Sequence, residues 1–166
     1  YALIGILAAL YERERTGKGQ AIDVSILESQ MAWLTNLAGS YFATGKNPPR
    51  LGNIHPTITP YQPFPTADGW IIIAGGTDRT WVRLCDALGI PAEIRDDPRY
   101  ATNPRRNINR AEVQALLIER LKTASKDHWL EKLRQADVPS GPIYLLDEAL
   151  AEPQTTAREF IVELEH

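Results

Sequence analysis

The chain starts with an apolar stripe that has nowhere to go. Leu3, Ile6, Leu7 and Leu10 fall at i, i+3, i+4 and i+7, the signature of an amphipathic helix that must bury one face. Tyr1 already lies on the first turn, with no Ser, Thr, Asp or Asn before it as a cap. A helix with no start signal reads as part of a longer polypeptide, so some of the chemistry is expected upstream of Tyr1. Gly17 and Gly19 stop the helix, and Gln20 to Val24 reads as a short strand. Ser25 and Glu28 form a capping-box pattern for a second helix, which carries Leu27, Met31, Leu34, Ala38 and Tyr41 and should end near Gly45. Residues 1–44 thus give helix, strand, helix, a unit too small to bury its own faces.

From Gly45 the composition changes. Lys46-Asn47-Pro48-Pro49-Arg50-Leu51-Gly52-Asn53 is rich in Pro, Gly and Asn, and residues 45–59 are expected to form a linker. Residues 60–166 read as a small α+β domain. Pro60 to Pro65 and Trp70 to Ala74 flank Thr66-Ala67-Asp68-Gly69, a hairpin in which Gly69 is placed to take positive φ. Pro60, Pro63 and Pro65 confine the first arm to a sheet edge. Thr77 or Asp78 caps a helix with Trp81, Leu84, Cys85 and Leu88 on one face, and Gly89-Ile90-Pro91 ends it.

Asp96 to Asn109 reads as polar and irregular. Arg110 to Lys122 is a helix carrying Val113, Leu116, Leu117 and Leu121, and Ser125 caps another with Trp129, Leu130 and Leu133. Val138 to Ile143 is a turn leading into an extended piece. Asp147 caps a brief helix limited by Pro153, and Phe160 to Leu164 reads as a last strand. The expected core is Trp81, Leu84, Leu116, Leu117, Trp129 and Leu133.

Charge and cysteine usage narrow the function. A formal net charge of -3, with basic residues dispersed apart from Arg105-Arg106, gives no nucleic-acid footprint. No apolar run approaches the roughly 20 residues of a membrane span. The single cysteine excludes an internal disulfide framework and suits a reducing compartment, so a cytoplasmic location is expected.

Few residues invite chemistry. Thr16-Gly17-Lys18-Gly19-Gln20 looks like a phosphate loop, but a helix precedes it and a strand follows, the reverse of a P-loop, so it reads as a helix end. Cys85 sits on an apolar face as a packed thiol rather than a nucleophile. His55, His128 and His166 share no metal-ligand spacing, and no metal site is expected. His55 lies in the linker, either as a solvated loop residue or next to a ligand. Asp23 is a general-base candidate or a carboxylate paired with backbone amides or Lys18. Asp68 is a turn residue. Gly75-Gly76-Thr77 is a turn, or a helix N-terminus able to receive an anion or a thioester oxygen. No complete triad or dyad emerges.

Several segments together resemble the class III coenzyme A transferases, the CaiB/BaiF family. Arg13 to Ser29 resembles the family's helix end, glycine turn, strand and next helix. Gly52-Asn53-Ile54-His55-Pro56, Pro60-Tyr61-Gln62-Pro63-Phe64 and Thr66-Ala67-Asp68-Gly69-Trp70 resemble the entry to its small domain. Trp81 to Gly89, Asp97-Pro98-Arg99-Tyr100 and Val138 to Ile143 follow in the family's order.

The resemblance implies an α/β fold cut to a piece. Residues 1–44 would be a remnant of the large CoA-binding domain, residues 45–59 a linker or flap, and residues 60–166 the small domain returning toward the large one. It implies an enzyme that moves coenzyme A between an acyl-CoA and a carboxylic acid through an aspartyl intermediate. CoA thioesters are then substrates, with no permanently bound cofactor. The aspartate is expected upstream of Tyr1, so this piece alone should be inactive. Gly52, Asn53 and His55 are the implied substrate-bordering residues. The segment His55-Pro56-Thr57-Ile58-Thr59 matches a glycine-rich flap of oxalate-type relatives, yet it holds no glycine. A homodimer is implied for the full-length parent. An α-methylacyl-CoA racemase of the same fold, or a non-catalytic folding or interaction domain, are the alternatives.

Overall fold

The Thr66–Gly69 turn folds the chain back on itself and starts a three-stranded sheet. In the computed structural model, which describes residues 1–165, β1 (Tyr61–Pro65) pairs antiparallel with β2 (Trp70–Ala74), Tyr61 opposite Ala74 and Pro65 opposite Trp70. β3 (Ser140–Ile143) pairs antiparallel with the other side of β2, Trp70 opposite Ile143. The order β1-β2-β3 leaves the proline-bearing β1 at an edge, where a missing N–H costs no ladder bond. Alternation sends Phe64, Ile71 and Ile73 into the interior.

Helices cover that face. α4 (Asp78–Leu88), α5 (Ala92–Arg95), α6 (Asn103–Ile108), α7 (Arg110–Leu121) and α8 (Lys126–Gln135) follow β2, and α9 (Leu146–Ala151) and α10 (Pro153–Ala157) follow β3. The core joins Phe64, Ile71 and Ile73 to Trp81, Leu84, Cys85, Leu88, Val113, Leu117, Leu121, Trp129, Leu133 and Val138. Leu116 packs on its margin, partly buried. The two buried tryptophans satisfy their indole N–H groups: Trp81 donates to Arg95 O at 3.1 Å and Trp129 to Leu121 O at 2.7 Å.

Two helix starts are those read from the sequence. Thr77 Oγ1 accepts the Thr80 N–H and Ser125 Oγ accepts the His128 N–H, so Thr77 rather than Asp78 caps α4. Asp68 adds a second cap from outside: its carboxylate accepts the Lys126 N–H at 2.7 Å, and that bond holds the carboxyl below the ordinary aspartate range.

Contacts divide the chain into two compact units, Tyr1–Arg50 and a second beginning at Leu51. The first unit holds α1 (Ala2–Thr16), α2 (Ile26–Met31), a 3-10 turn (Ala32–Leu34) and α3 (Thr35–Thr44). Gly17 and Gly45 end α1 and α3 in the left-handed conformation. None of these helices buries a residue.

Several expectations need correction. Gln20 to Val24 and Phe160 to Leu164 are irregular rather than strands, because a strand needs a hydrogen-bonded partner and neither segment finds one among the described residues. Ser25 accepts the Glu28 N–H, but Glu28 sends no bond back, so only half of the capping box forms. Asp96 to Asn109 is not irregular throughout, since α6 occupies Asn103–Ile108. Gly69 does not take positive φ. Pro153 opens α10 rather than merely limiting α9, and the Leu145 N–H is held by the Glu148 carboxylate instead of an Asp147 cap. The last residue of the 60–166 reading, His166, lies outside the described residues.

Candidate functional site

The loop from Leu51 to Pro60 carries Gly52, Asn53 and His55, and its shape follows from its own residues. Gly52 takes φ +59°, a backbone region that favours glycine, and the Ile54 N–H closes the turn on Leu51 O at 3.1 Å. Asn53 is exposed at the turn. The His55 N–H donates to Tyr61 O at 3.0 Å, and the imidazole stacks on the Tyr61 ring with centroids 5.2 Å apart and planes 8° from parallel. Its Nδ1 accepts the Thr57 N–H at 3.2 Å. In the neutral ring the proton therefore sits on Nε2, leaving that atom as the donor.

The rest of the loop is held by α6 and the first residue of α7. Asn103 Oδ1 accepts the Thr59 N–H at 2.9 Å while its Nδ2 donates to Thr57 O at 2.9 Å. Asn107 Nδ2 donates to the same Thr57 O, and Asn107 Oδ1 accepts the Thr59 hydroxyl. Arg110 Nη1 donates to His55 O at 2.8 Å, and its Nη2 reaches Pro56 O at 3.1 Å and Asn107 Oδ1 at 2.6 Å.

Arg106 completes the set from below, with 0% of its surface exposed. Its Nε donates to Thr59 O, Nη1 to Tyr100 O, and Nη2 to Gly76 O and the Asp78 carboxylate, all within 2.9 Å. The guanidinium also lies 5.3 Å from the Trp81 ring centroid. Burial pulls its pKa down and the Asp78 carboxylate opposes that pull; at arginine's high starting value the charge is retained.

Ile58 points the other way, into Gly76. A Cβ on Gly76 would come within 1.8 Å of Ile58 Cγ2, so the Gly75-Gly76 pair is there for close approach of this loop. Neither an anion cradle nor a simple turn is needed to explain it. Sequence reading placed His55 in a linker but missed what holds it. The available signal was polar: Asn103, Arg106, Asn107 and Arg110 stand at i, i+3, i+4 and i+7 from α6 into α7, with Pro104 marking the start of α6.

The other candidates resolve into structural roles. Gly17 caps α1 with its N–H on Arg13 O at 2.8 Å, so the Thr16–Gln20 run is a helix end. Cys85 is fully buried, and burial pushes its thiol up to about 12, the reverse of an activated nucleophile. His128 lies exposed on α8 with its ring edge against Trp129. Asp23 is exposed in irregular chain. Among the described residues no three His, Cys, Asp or Glu side chains gather to hold a metal. No helix there is long and apolar enough to cross a membrane. A surface hollow of about 410 Å³ lies between Ile90, Pro91, Ile94, Leu116 and Arg120, away from the three site candidates.

Comparison with known proteins shows the family of the chain. Residues 1–166 match the family model of CoA-transferase family III. A succinate–glutarate CoA-transferase of Agrobacterium fabrum is 43% identical over 99% of the chain, and an acetyl-CoA:oxalate CoA-transferase of Acetobacter aceti is 40% identical over 98%. The chain spans about two-fifths of each, 41% in both cases. The crystal structure of a CaiB/BaiF family protein from Brucella suis superposes with a TM-score of 0.80 at 45% identity, covering 96% of this chain and 42% of that one. Whole-length match, relatives and fold agree: the chain belongs to the class III CoA-transferases, the CaiB/BaiF family.

Proposed function

We propose that this chain is part of a CoA-transferase that moves coenzyme A from an acyl-CoA to a carboxylic acid through an aspartyl intermediate. The observation that carries the reading is the 43% and 40% identity, over nearly the whole chain, to two enzymes described as CoA-transferases. Succinyl and acetyl thioesters as donors, with glutarate and oxalate as acceptors, are the first substrates to try, by analogy with those relatives. In this reading residues 1–44 belong to the large CoA-binding domain, residues 45–59 are the linker, and residues 60–166 form the small domain. The parent acts as a homodimer in the cytoplasm.

The chemistry needs a carboxylate that is free to attack. The carboxylate attacks the thioester carbonyl and expels CoA thiolate, giving a mixed anhydride. The thiolate attacks the aspartyl carbonyl and expels the donor acid, giving an aspartyl-CoA thioester. The acceptor carboxylate reverses both steps, leaving as its CoA thioester with the aspartate freed. The best-held carboxylates here are committed elsewhere: Asp68 caps α8, Asp78 balances Arg106, and Asp96 and Asp97 are tied to Arg95 and Arg99. The nucleophile, by the family resemblance, lies upstream of Tyr1, so the 166 residues alone should not turn over. Gly52, Asn53 and His55 border the acyl pocket, with His55 Nε2 as a hydrogen-bond donor to an acid oxygen.

The test is acyl exchange by the full-length protein and by this chain, with acetyl-CoA or succinyl-CoA against a panel of carboxylic acids. Exchange by the full protein and none by the chain is expected. Turnover by the purified chain would overturn the missing nucleophile. α-Proton exchange in D₂O without acyl transfer would establish the racemase instead.

A further inference from the structure

In the loop around His55, four successive peptide units are each held by side chains of one polar face. Arg110 holds the carbonyls of His55 and Pro56, Asn103 and Asn107 both hold Thr57 O, and Asn103 also takes the Thr59 N–H. The three side chains are bonded to each other through Asn107 Oδ1 and Arg110 Nη2 or through a shared carbonyl. The loop sequence has no glycine between His55 and Thr59, and Ile58 is locked against Gly76. Each of these features opposes movement. A planar guanidinium that donates to two adjacent carbonyls fixes their spacing and direction, which an ammonium cannot do.

From this we infer that Asn103, Asn107 and Arg110 are positioning residues that hold the His55 loop as a rigid wall, and that this rigidity sets which carboxylic acid the enzyme accepts. The inference rests on the proposed acyl pocket beside His55. A fixed wall discriminates by shape and by unpaired polar groups, so an acid of the wrong length meets a cost the wall does not relax away. A loose wall adapts to several acids. The nucleophile is placed elsewhere, so loosening the wall acts on acceptor KM and on the ratio between acids more than on kcat.

Arg110→Ala with Asn107→Ala in the full-length protein removes the clamp from partly exposed positions without touching the buried Arg106. Arg110→Lys is the second variant, keeping the charge but not the two-carbonyl fork. Hydrogen exchange at the His55 amide, which bonds Tyr61 O and is freed when the loop opens, should quicken by about five- to tenfold in the double variant, as for a loop less stable by about one hydrogen bond, with β2 and α7 amides unchanged. The kcat/KM ratio between the best and a longer or shorter acid should fall by about tenfold, carried by KM, with the lysine variant between. Faster His55 exchange with an unchanged acid ratio would overturn the specificity role. Unchanged exchange in both variants would overturn the clamp. Absence of acyl transfer in the wild-type protein would be a different failure, that of the transferase reading itself.

Discussion

α1 and α7 carry equally apolar stripes and meet opposite fates. On α7, Val113, Leu117 and Leu121 are completely buried beside Trp129 and Phe64. On α1, Leu3 and Leu7 remain more than half exposed, at 67% and 56%, and in the same unit Trp33 reaches 80%. The periodicity is the same, so periodicity alone does not decide burial. What differs is the supply of facing surfaces: the second unit offers a sheet and six further helices, while the first offers two short helices, a 3-10 turn and an unpaired segment. A stripe stabilises a fold only where another element covers it.

The largest expected effect is at Arg106. Arg106→Ala removes a buried cation and leaves Thr59 O, Tyr100 O and Gly76 O without their donor, so the second unit should lose about 3–5 kcal/mol by denaturant titration. A smaller loss would mean water replaces the guanidinium.

Truncation of the two stripes sharpens the contrast directly. Leu117→Ala or Leu133→Ala should cost about 2–5 kcal/mol. Leu7→Ala should stay within about 0.5 kcal/mol, as for a surface site. Equal losses would show that the first unit is packed as well.

The close approach at Gly76 gives a reciprocal test. Gly76→Ala should destabilise the second unit because its Cβ falls on Ile58 Cγ2. Adding Ile58→Ala should recover part of the loss, a coupling a double-mutant cycle reads at about 0.5–3 kcal/mol. Additive losses would place the strain elsewhere.

Acid should act on the second unit through a set of carboxyls that all lie there. Asp68, Asp96, Asp97, Glu131 and Glu148 are held below their ordinary range, first by hydrogen bonds from the Lys126 N–H, Arg95, Arg99, Arg134 and Lys126. Each binds its proton less readily folded than unfolded. Their stabilisation is complete above the unfolded values of about 4 and is lost as pH falls through the lower folded ones. The midpoint of unfolding should drop below about pH 4 and do so less steeply in high salt, since these pairs are exposed. A flat profile through that range would contradict these pairings.

The sequence was most readable where local chemistry and burial agree. Thr77 and Ser125 announced helix starts, Pro63 and Pro65 an edge strand, and Trp81, Leu84, Trp129 and Leu133 the core. It failed where a partner was required. Gln20 to Val24 alternates like a strand but has nothing to pair with, and Phe160 to Leu164 is apolar but equally unpartnered. It failed again at α6, because the face that matters there is polar. Hydrophobic periodicity does not see Asn103, Arg106, Asn107 and Arg110, whose bonds hold the loop that carries His55. His55 itself, which lies within the second unit, could be singled out from its place in a Pro- and Gly-rich segment. Its neutral-ring donor, its stack on Tyr61 and its clamp could not.

Residue-resolved hydrogen exchange on the 166-residue chain, at a concentration where it is monomeric, tests the contrast between the two units most directly. Amides of β2, α4, α7 and α8 should exchange slowly and together, as one cooperative unit, while those of α1, α2 and α3 exchange far faster. Protection of α1 equal to that of α7 would contradict the account, because the first unit would then hold a core of its own.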